Sequence, residues 1–214
     1  MLKSSHGRIT NRFAVGHFAL GYILSKSAAQ KLKTELNVPI VLTLSVIPDI
    51  DILIPFLKHR GPTHSVIIAI IVFIPILAFW RRKAIPYFIA LAQHSVLSDV
   101  IIGGQTQLFW PLTSGYYGME INIKSYTNIC IEWLSFLAAI TLLTKTKDIK
   151  KLLQPYNSNL ILIIPVTTIL LPTFLAYPID VPPALIPPHA VFLSLFLASF
   201  LIDLRQIYKI RGKP

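Results

Sequence analysis

Apolar runs of nearly membrane-spanning length recur through the chain, each closed by a short polar joint. Val66 to Trp80 is almost wholly apolar and ends at Arg81-Arg82-Lys83, and Ile85 to Ile102 follows. Ile129 to Leu143 carries Glu132 and a few small polar residues, and Lys145, Lys147, Lys150 and Lys151 come after it. Leu160 to Tyr177 contains Pro165 and Pro172, and Ala190 to Ile202 ends at Asp203-Leu204-Arg205. Val38 to Leu57 is broken by Pro48-Asp49-Ile50-Asp51, and Phe13 to Ala29 is weakened by glycines, His17 and Ser25. A spanning helix needs about 20 residues, with a lower limit near 17, so several runs sit at that limit. A membrane barrel would instead alternate over ~10-residue strands. Internal prolines are compatible with helices here, because neighbouring helices satisfy the freed carbonyls. The expected fold is all-α: a single membrane-embedded domain over residues 1–214, a polytopic bundle of about six to seven transmembrane or re-entrant helices. The C-terminal helices fall within residues 129–205.

Composition supports that class. Hydrophobic residues make up 54% and charged residues 14%, against about 25% charged in soluble domains. Disorder is excluded by the apolar content, and a disulfide scaffold by the presence of one cysteine, Cys130. No typical signal peptide is expected, since Lys3, Arg8 and Arg12 precede an interrupted apolar stretch without a small-residue cleavage site.

The net charge of +11 would suit nucleic acid or anionic lipid, and the placement of the charges decides between them. The basic joints Arg81–Lys83, Lys145–Lys151 and Arg205–Lys213 follow alternate runs. With Lys26, Lys31 and Lys33 they place 14 of the 20 Lys and Arg on one side. Lys3, Arg8, Arg12, Lys58, Arg60 and Lys124 make up the other side. The positive-inside rule assigns the larger set to the cytoplasm, with the N-terminus outside and the C-terminus inside. The flank Lys3/Arg8/Arg12 opposes the rule; a first helix lying on the surface would put the N-terminus inside. Topology and anionic lipid account for the bases, and no nucleic-acid partner is expected.

The few acids and histidines are concentrated. Gly16-His17, Asp49 and Asp51, His59-Arg60-Gly61-Pro62-Thr63-His64-Ser65, and His94 with Asp99 all fall near helix ends on the non-cytoplasmic face. Imidazole nitrogen with carboxylate oxygen suits Zn²⁺, Mn²⁺ or Fe²⁺, and ionisable groups at the edge of an apolar bundle are costly unless paired or ligated. His17, Asp49, Asp51, His59, His64, His94 and Asp99 are candidate ligands for one or two divalent ions, zinc first. Asp51, His64 and Arg60 are the candidate catalytic residues, with Arg60 as an anion anchor. Each element has a plainer reading. Asp49 and Asp51 would form a turn after Pro48, and His59 and His64 would lie among headgroups. His94 and Asp99 would share a structural hydrogen bond, and Thr63 and Ser65 would cap the next helix. His94 and Asp99 are five residues apart, which a regular helix turns about 140° apart. They converge only if the helix ends before Gly103-Gly104 or bulges. Asp49 and Asp51 cannot share a helix face. The aromatics of Phe109-Trp110-Pro111-Leu112 and Gly115-Tyr116-Tyr117-Gly118 suit an interfacial belt or a lid, and Glu132 and His189 read as hydrated interface residues.

In this order the motifs, with Gly21, resemble the YdjM-type family over about residues 13–115. The His-Arg-Gly-x-Thr-His-Ser stretch is the most specific part. The resemblance implies a membrane-bound, metal-dependent hydrolase, also described as LexA-binding and inner-membrane-associated. The chain departs from the family's four-residue His-to-Asp step. The His…Asp…His…His…Asp order is also similar to zinc-dependent phospholipase C, which implies a phosphoester, small-molecule or lipid-headgroup substrate. The alternatives are an ion or solute transporter, which would place these groups near mid-membrane between broken helices, and a non-catalytic membrane scaffold.

Overall fold

The computed structural model describes residues 13–211 apart from 55, 103 and 120. Lys3, Arg8, Arg12, Gly103 and Lys213, used in the topology and helix-end arguments, lie outside the described residues. Among the described residues every regular element is helical, and one isolated antiparallel bridge joins Thr106 to Tyr117.

Helix α1 (Ala14–Leu32) is followed by α2 (Val38–Leu44) and a 3₁₀ turn, Ile47–Leu53. A second 3₁₀ turn, Pro62–His64, leads into α3 (Val66–Trp80). Arg81–Ala84 connects α3 to α4 (Ile85–Gln93), which continues into a π-helical turn, His94–Asp99. A long connection then reaches α5 (Tyr126–Lys145) and the short α6 (Asp148–Leu152). The 3₁₀ segment Asn157–Leu162 runs into α7 (Ile163–Leu175), and Pro183–Leu185 opens α8 (Ile186–Arg211). The starts are set by local chemistry. Asn37 Oδ1 accepts from the Ile40 amide at the head of α2, and Ser65 Oγ accepts from the Ile67 and Ile68 amides at the head of α3, each satisfying donors that a helix leaves unpaired.

Weakly apolar α1 is the central helix. It packs against α4 and α5 and also meets α2, α7 and α8, which removes the reading of α1 as a surface helix. Several of its polar residues face inward to partners. Ser25 Oγ donates to the Pro86 carbonyl at 2.7 Å, and Tyr22 Oη donates to Asp148 Oδ2 at 2.8 Å. Gly21 permits the close packing: a Cβ there would lie 1.9 Å from Ser45 Oγ and 3.2 Å from Gln93 Nε2. The main apolar core joins Phe18, Tyr22, Leu42, Phe136, Leu143, Leu162, Phe192 and Phe196, so it draws on α1, α2, α5, the segment before α7, and α8. By contrast α3 buries only Phe73 and exposes Ile70, Ile71, Val72, Ile74, Phe79 and Trp80. A helix apolar all round and exposed suits lipid contact.

Among the described residues three helices are long and apolar enough to cross a membrane: Tyr126–Lys145, Ser158–Leu175 and Pro183–Lys209. The six to seven spans expected from the sequence are not reached on that measure. α1 is long enough but carries His17, Ser25, Lys26, Gln30 and Lys31, and α3 has 15 residues.

Asp148 ties this packing together at the head of α6, where it accepts from both Tyr22 and Lys26. Burial would raise its pKa, but the bonds from Lys26 and Tyr22 prevail and hold it below the ordinary carboxylate range. Such a group stabilises the fold fully above the unfolded carboxyl pKa of about 3.9, and the contribution is lost as pH falls through the folded value. Asp148→Asn is therefore expected to cost about 1–3 kcal/mol at neutral pH, read as a lower thermal midpoint in detergent. The difference from wild type should shrink as the pH drops below about 4; a difference constant with pH would contradict the assignment.

Candidate metal centre

Four segments bring the sequence-predicted residues together. His17 comes from the first turn of α1, and Asp49 and Asp51 from the 3₁₀ turn after α2. His59 to His64 lie before α3, and His94 to Asp99 form the π turn after α4.

The centre of the cluster is the ring nitrogen pair His64 Nε2 and His94 Nε2, 3.3 Å apart. Asp99 Oδ2 lies 3.3 Å from the first and 3.5 Å from the second. Asp49 Oδ1 lies 3.4 Å from each. These atoms form two triangles sharing the His–His edge. A tetrahedral face with such edges surrounds a point about 2.0–2.1 Å from each corner, the bond length of zinc to imidazole nitrogen and carboxylate oxygen.

Hydrogen bonds behind the rings explain why those two nitrogens point inward. His94 Nδ1 donates to the Ser45 carbonyl at 2.8 Å. On the other ring, His64 Nδ1 donates to Thr63 Oγ1 at 3.0 Å, and Thr63 Oγ1 donates to Asp51 Oδ2 at 2.6 Å. His59 Nδ1 donates to the remaining oxygen, Asp51 Oδ1, at 2.8 Å. The tautomers follow from the acceptors: with each Nδ1 proton engaged, both Nε2 lone pairs face the shared point. Two ring nitrogens with a carboxylate oxygen of Asp49 or of Asp99 completing each triangle call for positive charge there.

The electrostatics agree. Burial would push the His64 imidazole down, yet hydrogen bonds to Asp49 and Asp51, with the charges of Asp99 and Asp49, raise its pKa to about 10. Burial would raise Asp49, but the charge of His94 and the bonds from His64 and His94 hold its carboxyl well below the usual range. Burial would also raise Asp51, and the bonds from His59 and His64 outweigh it.

The π turn answers the spacing problem. Residues five apart diverge on an α-helix but return to one side where the hydrogen bonds run from i to i+5. His94 and Asp99 meet for this reason, and so do Gln93 and Ser98, whose side chains hydrogen-bond at 3.0 Å. The helix bulges between His94 and Asp99 rather than ending there. Asp49 and Asp51 point apart and take opposite sides of the His64 ring, Asp49 toward Nε2 and Asp51 toward Nδ1. His64, fully buried, is not a headgroup-facing residue.

The remaining expected residues surround this core. His17 stacks on His94 with ring centroids 3.9 Å apart and planes at 14°. Among the described residues three ligand groupings could hold an ion: His64/His94/Asp99, His17/Asp49/His94 and Asp49/His59/His64. Arg60, buried, places Nη2 3.8 Å from Asp99 Oδ1. Its backbone is left-handed, at φ 61°, a conformation costly for a non-glycine residue. The loop after the π turn holds it: the Gln107 amide donates to the Arg60 carbonyl at 3.0 Å, and Thr106 Oγ1 does so at 3.4 Å. The same loop gives Leu108 and Trp110 carbonyls to Ser65 Oγ. The aromatic stretch therefore lies along the site as a strap. Of the two expected capping residues, Ser65 caps α3 and Thr63 orients His64.

Sequence reasoning missed Ser45, Gln93, Thr106 and Gln107. The available signal for Ser45 and Gln93 was a polar residue inside an otherwise apolar run. Glu132 and His189 are fully buried between helices, with His189 Nδ1 donating to the Leu185 carbonyl at 2.7 Å, so neither is a hydrated interface residue.

Fold and site define an all-helical membrane protein with a buried His/Asp cluster able to hold a metal ion. The chain belongs to the YdjM inner membrane protein family, matching it over residues 13–177. The match extends past the motif-bearing part expected from sequence, through α5 and α7. Among curated proteins and among solved structures nothing matches.

If Asp51 orients His64 and His59, Asp51→Asn should weaken Zn²⁺ binding by about 10–100-fold, as loss of an outer-shell partner does, with the fold intact by circular dichroism. Isothermal titration checks this; unchanged affinity would remove Asp51 from the site.

Proposed function

We propose that this protein is a multi-pass inner-membrane hydrolase that uses a divalent metal ion to cleave a phosphoester or lipid-related substrate. The observation that carries the reading is the convergence of His64 Nε2, His94 Nε2, Asp99 Oδ2 and Asp49 Oδ1 at 3.3–3.5 Å. The donor set fits Zn²⁺, with Mn²⁺ and Fe²⁺ as alternatives. His64, His94 and Asp99 hold the first ion, and Asp49, His17 and His59 flank it where a second would sit. When bound, such an ion lowers the pKa of a coordinated water toward ~7 and polarises the ester oxygen.

The protein's own groups supply the rest. Asp51 holds His59 and His64 in the tautomers the site needs, through Thr63 on one side. Arg60 offers its guanidinium to the anionic group of the substrate. Hydrolysis adds the water oxygen to phosphorus, breaks the ester P–O bond and returns the water proton to the departing alcohol.

In this reading the chain is one membrane domain of about six to seven passes, with the short, lipid-suited α3 and the α4–π segment crossing or re-entering beside the three long helices. The cluster faces the non-cytoplasmic side, because 14 of the 20 Lys and Arg lie on the other. The partners are membrane lipid and a small-molecule or lipid-headgroup substrate.

The test is metal analysis with activity. Purified protein should carry stoichiometric Zn²⁺, Mn²⁺ or Fe²⁺, and His64→Ala and His94→Ala should lose it together with phosphodiesterase turnover. Arg60→Gln should keep the metal and lower turnover by about 10²-fold, as loss of a charge-stabilising donor does. Protein without bound metal, or with the same content in His64→Ala, would end the proposal.

A further inference from the structure

We propose that the substrate of this site is an amphiphile, and that its hydrocarbon chain lies in the cleft between the Ile47–Leu53 turn and α7. The headgroup half of this statement rests on the hydrolase reading above; the chain-binding half rests on the cleft alone.

The cleft, ≈ 160 Å³, is walled on one side by Ile50 and Leu53 and on the other by Ile164, Thr168 and Leu171. Among the described residues that line it, Asp49 alone is charged. The Asp49 carboxylate also meets His64 and His94 in the cluster through Oδ1, so one residue of the cleft wall belongs to the site of the chemistry.

The hydroxyls along the wall are already engaged. Thr167 Oγ1 donates to the Ile163 carbonyl, Thr168 Oγ1 to the Pro165 carbonyl, and Tyr177 Oη to the Ile52 carbonyl, at 2.8, 2.9 and 3.3 Å. A water-soluble polar ligand would find few partners there, whereas an alkyl chain needs none. The surroundings match the same occupant. The α7 wall belongs to the apolar stretch Ser158–Leu175, long enough to cross a membrane. Beyond Leu53 the chain exposes Ile54, Phe56 and Leu57, with Phe56 94% exposed. An exposed apolar rim of this kind suits contact with lipid. A chain entering from the bilayer would lie along α7 with its polar end at Asp49, where a bound cation and Arg60 meet an anionic headgroup.

The experiment uses purified full-length protein in detergent and a single-chain alkyl phosphate with a diazirine near the middle of its chain. After irradiation, labelled peptides are mapped by mass spectrometry, and metal content is measured on the same sample. Label is expected on residues 46–53 and 163–171 in excess over the exposed α5 positions Leu134 and Leu137. Thr168→Trp, which fills the cleft, should cut that label by about tenfold, the loss expected when two methylenes are denied burial, with metal content unchanged. In wild-type protein an unlabelled long-chain alkyl phosphate should compete and glycerol phosphate should not, a comparison that needs no variant. Label spread equally over α5 and α7, or competition by glycerol phosphate, would overturn the proposal. Label at the cleft in protein without metal would keep the chain-binding half and remove the hydrolase reading.

Discussion

Everything around the His/Asp cluster depends on one electrostatic constraint: carboxylates and imidazoles buried together in an apolar setting must share a compensating positive charge. His64 and His94 turn their Nε2 atoms toward each other, and Asp49 and Asp99 each complete a triangle on that pair. That arrangement is unfavourable alone and favourable around a cation. Much of the local architecture can be read as a means of holding it. The Ser45 carbonyl fixes one ring and the Thr63–Asp51 pair fixes the other. The absence of a side chain at Gly21 lets α1 approach Ser45 and Gln93, which supports the first of these contacts.

The two ends of the molecule divide the polar work. At the cluster end, acids and histidines are buried and mutually paired. At the far end, Asp148 accepts from Tyr22 of α1 and from Lys26, close to the basic joint after α5. α1 connects the two, carrying His17 in its first turn and Tyr22 and Lys26 further along. This explains why a helix with so modest an apolar character occupies the centre: its polar side chains have partners, and its small residues let neighbours close in.

The sequence made the chemistry legible and the geometry only partly so. The His/Asp grouping could be read because scarce titratable residues in a chain 54% hydrophobic must be accounted for individually. The five-residue step from His94 to Asp99 could be recognised as incompatible with a regular helix, but periodicity alone could not choose between a bulge and an early end. Ser45 contributes through its backbone carbonyl, which no side-chain pattern reveals. Glu132 and His189 were misplaced because position along a run does not report which face turns inward. Three of the expected spans are long and apolar enough to cross a membrane among the described residues; α3 resembles a spanning run but is short, and α1 carries polar residues along its length.

The cluster and the apolar cleft beside it share Asp49, so the proposed metal binding and the proposed chain binding are adjacent and can be tested separately. The most direct test of the central claim is X-ray absorption at the zinc edge on the Zn²⁺-loaded protein. The account requires a first shell of two imidazole nitrogens and carboxylate oxygens at about 2.0–2.1 Å, with one imidazole lost in His94→Ala. A shell of water oxygens only, or a spectrum unaltered by His94→Ala, would contradict it.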